Sequence, residues 1–146
     1  MDAYTVALTL LSARELSEAQ LRARLTRRRL EAGDIESALS RLKKDGTLSD
    51  RRVAMAIGRM ESAVKSRGRS RVIQKIRQAG IDGHTAAQAV SEVFQDVDEN
   101  ALLERALERR LRGTALEELD QKGRARIIRG LVGQGFPLEA VLKRIR

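Results

Sequence analysis

The side chains in this chain most suited to chemistry are its arginines. Of 146 residues, 29 are basic and 20 acidic, giving a net charge of +9, and arginine supplies 23 of the bases. They are clustered. Residues 21–30 hold Arg22, Arg24, Arg27, Arg28 and Arg29 with no acid. Residues 65–77 hold Lys65, Arg67, Arg69, Arg71, Lys75 and Arg77, and residues 122–129 hold Lys122, Arg124, Arg126 and Arg129, again with no acid. A guanidinium is a planar fork of donors that fits a phosphate or a carboxylate. Runs of them indicate a polyanionic or acidic partner. The competing readings are solvated helix faces and a general bias toward arginine. The densest element, Ser66-Arg67-Gly68-Arg69-Ser70-Arg71, has small residues that let backbone N–H groups and guanidinium forks approach an anion together. The candidate binding residues are Arg22, Arg24, Arg27, Arg28, Lys65, Arg67, Arg69, Arg71, Lys75, Lys122, Arg124 and Arg126.

Other chemistry finds little support. The absence of cysteine removes disulfide scaffolds, zinc fingers, thiolate catalysis and iron–sulfur ligation. The single histidine, His84, follows an Ile81-Asp82-Gly83 turn and reads as a loop or first-turn residue. Gly130-x-x-Gly133-x-Gly135 has the wrong order for a dinucleotide fingerprint or a P-loop, and no strand precedes it. Glu117-Glu118 reads as a solvated or capping pair. With 2% aromatic residues, a base-stacking platform for single strands is disfavoured. The expectation is a binding protein with no catalytic site, metal or cofactor. No apolar run reaches the roughly 18–20 residues of a membrane span, and Met1-Asp2-Ala3-Tyr4 lacks a basic leader segment. A soluble, cytoplasmic, monomeric protein with no membrane contact follows as an expectation.

These bases must be carried by helices. Apolar residues recur at spacings of three and four, as at Leu21, Leu25, Ile35, Ala38, Leu39 and Leu42, with no sustained alternation. The spacing predicts a first helix over about residues 3–15, with Val6, Leu8, Leu10 and Leu11 as its apolar positions. Ser17-Glu18-Ala19-Gln20 is a capping box that starts a second helix at Glu18. Asp34 is placed to cap a third, which Asp45-Gly46 ends.

The pattern then repeats. Leu21, Leu25, Arg29, Leu30, Ile35, Ala38 and Leu39 align with Val72, Ile76, Gly80, Ile81, Ala86, Ala89 and Val90. They align again with Ile127, Leu131, Gly135, Phe136, Val141, Arg144 and Ile145. The template describes a helix, a tight glycine turn and a second helix folded back on it. Each copy follows another amphipathic stretch, with apolar positions Val53, Ala56, Ile57 and Met60 in the second and Leu102, Leu103, Ala106, Leu107 and Leu111 in the third. The expected fold is all-α: three tandem three-helix repeats, residues 1–50, 51–97 and 98–146, in one elongated, curved array. The first repeat has 9 bases and 8 acids, the second 9 and 4, the third 11 and 8, so the second is the most basic. Stacked in a common orientation, the three basic helices would form one stripe.

Read this way, the chain resembles the RecX family of bacterial recombinase regulators. Ala3-Tyr4, Arg14-Glu15, Ser17-Glu18-Ala19-Gln20-Leu21, Arg24-Leu25 and Leu42-Lys43-Lys44-Asp45-Gly46 carry the resemblance in the first repeat. Arg71-Val72 and Ile76-Arg77-Gln78-Ala79-Gly80-Ile81 carry it in the second, Arg126-Ile127 and Gly135-Phe136 in the third. It departs at Arg29-Leu30, where the family usually has Gly followed by Phe. A non-glycine residue there avoids positive φ or is strained by it, which points to a differently built first turn. The resemblance implies a non-enzymatic modulator that binds RecA and its filament on single-stranded DNA. It implies opposition to filament growth, ATP hydrolysis, strand exchange and coprotease activity. Weak direct contact with DNA is a further expectation. One rival reading is a helical DNA-binding protein acting on nucleic acid without RecA; another is a scaffold for an acidic protein.

Overall fold

The computed structural model describes residues 2–146. Among them there are nine α-helices and no strand. The helices are α1 (Ala3–Ala13), α2 (Glu18–Arg27), α3 (Ala32–Lys44), α4 (Asp50–Arg59), α5 (Arg69–Gln78), α6 (Gly83–Phe94), α7 (Glu99–Leu111), α8 (Gln121–Gly133) and α9 (Leu138–Ile145). A π-helical turn, Met60–Val64, extends α4, and a 3₁₀ turn, Leu116–Glu118, precedes α8. The fold is three tandem three-helix repeats: α1–α3, α4–α6 and α7–α9. None of these helices is long and apolar enough to cross a membrane. The accessible surface is 9171 Å², about a fifth more than the roughly 7,500 Å² expected of a globular monomer of this mass. That excess fits an extended array.

Short polar side chains start most helices. Asp2, Ser17, Ser49, Asp82, Asp98 and Asp120 each accept a backbone N–H from the first turn of the helix that follows. The capping box is present, Ser17 with Gln20. Asp34 does not cap α3. That helix begins at Ala32 after Glu31, which makes no side-chain cap bond, and Asp34 lies in its first turn. The chain turns earlier than Gly33-Asp34 suggests, because Arg29 itself takes the left-handed conformation, φ 62°.

Arg29 thus occupies the same turn geometry as Gly80 (φ 83°) and Gly135 (φ 110°), and the first turn is not differently built. A left-handed L-residue costs about 1–2 kcal/mol. The neighbours explain why it is tolerated here. A Cβ on Gly80 would stand 2.5 Å from Ala19 Cβ, and one on Gly135 would stand 2.6 Å from Gly68 O. Those turns are pressed against the preceding repeat, whereas Arg29 is exposed.

The two presses share one register. Ser17, at the head of α2, donates its hydroxyl to Ala79 O in the α5–α6 turn. Gly68, at the equivalent place before α5, donates its N–H to Gln134 O in the α8–α9 turn at 3.0 Å, and Ser70 Oγ donates to Gly135 O at 3.1 Å. The head of each middle helix therefore holds the turn of the next repeat. In the third repeat, Arg124 donates to Leu116 O and Ile145 O, closing that end on its own backbone.

The template residues form the core. Leu21, Leu25, Ile35, Ala38, Leu39, Val72, Ile76, Ile81, Leu131, Phe136, Val141 and Ile145 are all buried. The first repeat has a core of its own around Leu21, Leu25 and Leu42, while the second and third share one. Three helical positions differ from expectation. Leu8 and Met60 are exposed, as is Ala56, and Ala54 and Gly58 face inward instead. Gly58 brings α4 close to α6: a Cβ there would stand 3.0 Å from Val93 Cγ2. The first helix also ends at Ala13, short of the predicted boundary.

Candidate functional site

The shared core leaves a cleft of about 800 Å³ between the second and third repeats. Its walls are the segment from the π turn into α5, the end of α7 and the length of α8. It is lined by Lys65, Arg67, Arg71, Arg109, Arg110, Arg112, Arg126 and Arg129, with Ala106, Ile127, Gly130, Gly133 and Gln134 between them. No acid lines it.

Each wall has a local reason. Arg109, Arg110 and Arg112 gather at the C-terminus of α7, where the helix dipole favours cations. Arg126 and Arg129 are three apart on α8 and share a face. Arg110 lies across α8: a Cβ on Gly130 would stand 2.1 Å from Arg110 Nη1. Its guanidinium donates twice to Gln134 Oε1, at 3.1 and 3.0 Å. Gln134 Nε2 in turn donates to Ser66 O at 2.9 Å. Arg110, Gln134 and the 66–68 loop thus form a chain of contacts across the repeat boundary. Among the described residues, two of the three non-glycine residues with positive φ, Ser66 (52°) and Arg112 (51°), stand at or beside this cleft. Such strain gathers where a surrounding structure holds a functional shape.

Four of the twelve predicted residues line the cleft: Lys65, Arg67, Arg71 and Arg126. The other eight lie outside it, and three of those have structural work. Arg22 bonds Glu36 at 2.8 Å and Glu18 at 3.3 Å, and the Glu36 bond pushes its pKa up. Arg69 bonds Glu99 at 2.9 Å, which raises its pKa, and stacks 5.1 Å from the centre of the Phe94 ring. It fastens α5 to the neighbouring repeat. Arg124 is the closing strut described above. Arg24, Arg27, Arg28, Lys75 and Lys122 belong to other faces. His84 is exposed in the first turn of α6. Among the described residues no group of three or more His, Cys, Asp or Glu is placed to hold a metal.

The missed residues are Arg109, Arg110, Arg112 and Arg129. The first three stand together in the acid-free stretch 109–116, away from the middle helices that carry the three basic runs, and Arg129 stands in the third run without being among the candidates. A signal was available: three arginines at a helix C-terminus, one repeat boundary away from the basic 65–71 loop.

A family model described as RecX, first three-helix domain, matches residues 3–42. The regulatory protein RecX of Syntrophotalea carbinolica is 30% identical over 135 residues, covering 92% of this chain and 88% of the relative. The chain belongs to the RecX family. The regulatory protein RecX of Thermus thermophilus is 35% identical over 144 residues, covering 97% of this chain and 89% of that one. The crystal structure of RecX from Lactobacillus salivarius superposes with a TM-score of 0.81 at 16% identity, covering 98% of this chain and 94% of the other, and so shares the fold. The match to the RecX first domain ends before α4, so the cleft lies in the two RecX repeats outside it.

Proposed function

We propose that this RecX-family protein binds RecA and its filament on single-stranded DNA, and that it lowers RecA's ATP hydrolysis, strand exchange and coprotease activity. It does so by occupancy, with no catalytic step or cofactor of its own, as a cytoplasmic monomer. The observation that carries this reading is the cleft between the second and third repeats, with eight bases and no acid in its lining. A nucleoprotein filament presents phosphates and acidic protein faces on a helical surface, and an extended basic array complements both. The repeats, which we place at 1–50, 51–97 and 98–146, act as one continuous array in this reading.

The same cleft supports a second reading, a helical protein that binds nucleic acid directly without RecA. One titration separates the two. RecA hydrolysing ATP on single-stranded DNA receives increasing amounts of this protein at two salt concentrations. A dose-dependent fall at amounts well below those of RecA is the expected result. No fall at equimolar protein, with the chain shown to be folded, would overturn the RecA reading and favour direct nucleic-acid binding.

A further inference from the structure

Two of the bases lining the cleft have a carboxylate partner, and it is the same one. Glu61 lies in the π-helical turn, its side chain 6% exposed. Its Oε2 is 3.2 Å from Lys65 Nζ, and its Oε1 is 3.3 Å from Arg67 Nη1. The backbone arranges this. Arg67 N–H donates to Glu61 O at 2.9 Å, and Ser66 reverses the chain between them with φ 52°.

The pairing with Arg67 is loose. Glu61 Oε1, Arg67 Nη1 and Ser66 Oγ are buried atoms, and none has a hydrogen-bond partner. Buried charges are ordinarily both paired and hydrogen-bonded. Lys65 and Arg67 reach the cleft on long side chains, about half and a quarter exposed. An anion entering the cleft would draw both outward. Glu61, held inside by the turn, would be left behind.

We propose that Glu61 is an internal anion that competes with a phosphodiester strand for Lys65 and Arg67. This rests on reading the cleft as the binding surface. The lining is rich in arginine and has no aromatic side chain, so it suits the backbone of a strand rather than its bases. A lone phosphate that displaces Glu61 leaves a buried carboxylate unpaired. A strand meets Arg109, Arg126 and Arg129 as well, and those contacts offset the loss. Glu61 thereby sets a threshold that favours extended polyanions over single phosphates.

The test uses the full chain and a fluorescein-labelled thymidine homopolymer, with anisotropy followed across a salt series. At a fixed salt concentration, Glu61→Gln binds about five-fold more tightly, because no internal carboxylate has to be displaced from Lys65 and Arg67. Its salt slope is unchanged, because the same cations meet phosphates in both proteins. Equal or weaker binding by a folded Glu61→Gln overturns the competition. Should that variant not fold, carboxyl-carbon NMR of the unaltered protein decides. The Glu61 signal moves as the homopolymer binds, and an unmoved signal in a saturated complex overturns the proposal. Absence of homopolymer binding at low salt also overturns it, while loss of RecA's ATP hydrolysis in the separate titration would leave the proposed function standing.

Discussion

Arg29 shows how one residue can satisfy a turn at a cost. Its φ of 62° is that of the glycines in the two later turns, yet it carries a side chain and a charge. Replacing it with glycine removes a left-handed penalty of about 1–2 kcal/mol and adds about 0.5–1 kcal/mol of unfolded-state entropy. The expected net for Arg29→Gly is a gain of about 0.5 kcal/mol. A urea titration should show a higher midpoint with an unchanged slope. A lower midpoint would mean that the Arg29 side chain holds the turn in some other way. The sequence flagged this position correctly but misjudged the outcome. It showed that the residue was wrong for the turn, but not that the neighbouring repeats press on the later two turns and leave this one exposed. Asp34 follows a breaker at Gly33, but the turn is already made at Arg29 and α3 starts at Ala32.

At the scale of elements, the repeat was legible because it is written in core residues. Leu25, Ile76 and Leu131 occupy one template position and are buried in all three repeats. A helix start was legible at Ser17, where the capping box marks it. The junctions were not, because they depend on backbone approach. The sequence marks Gly135 as a repeat's turn glycine and Gly68 as part of an anion-binding loop, but not that the two meet: a Cβ on Gly68 would stand 2.4 Å from Gly135 O. Gly68→Ala must push two repeats apart and is expected to destabilise by about 2–3 kcal/mol. Gly33→Ala is the control. Nothing lies within 4 Å of a Cβ there, and α3 should gain about 0.5–1 kcal/mol. Thermal midpoints of the two variants moving in opposite directions would bear out the junction; similar shifts would contradict it. The cleft was half legible for a related reason. Lys65, Arg67, Arg71 and Arg126 stood in acid-free runs, while Arg109, Arg110 and Arg112 entered the same surface from a helix end that only the packing of α7 on α8 brings near.

For the molecule as a whole, charge is arranged differently on its outer faces and in its cleft. Outside the cleft, Arg22, Lys43, Arg51, Arg52, Arg69 and Arg144 are paired with acids. The Arg22 bond holds the Glu36 carboxyl below its usual range, the Arg144 bond does the same for Glu104, and the Thr85 backbone N–H does so for the Asp82 cap. Carboxyls lowered in the folded state contribute stability above their ordinary values. That contribution is lost as pH falls through the lowered ones. The urea midpoint should therefore be nearly flat from about pH 7 to 5 and fall below about pH 4. A midpoint at pH 3 equal to that at pH 7 would contradict these assignments. The cleft itself has little such neutralisation. Arg110 is held by the neutral Gln134, and only Glu61 stands behind Lys65 and Arg67. A surface that gathers this many unneutralised cations in a 16.3 kDa chain is held together by the shared core beneath it, and it is suited to an anion of many charges. The measurement that tests this most directly is RecA's ATP hydrolysis on single-stranded DNA in the presence of Arg109→Glu/Arg126→Glu/Arg129→Glu. These three arginines line the cleft and are exposed. With helicity intact by circular dichroism, the triple variant should lose inhibition at concentrations where the unaltered protein is fully active, while Arg27→Glu/Arg28→Glu in the first repeat retains it. Full inhibition by the folded triple variant would contradict the cleft as the contact surface.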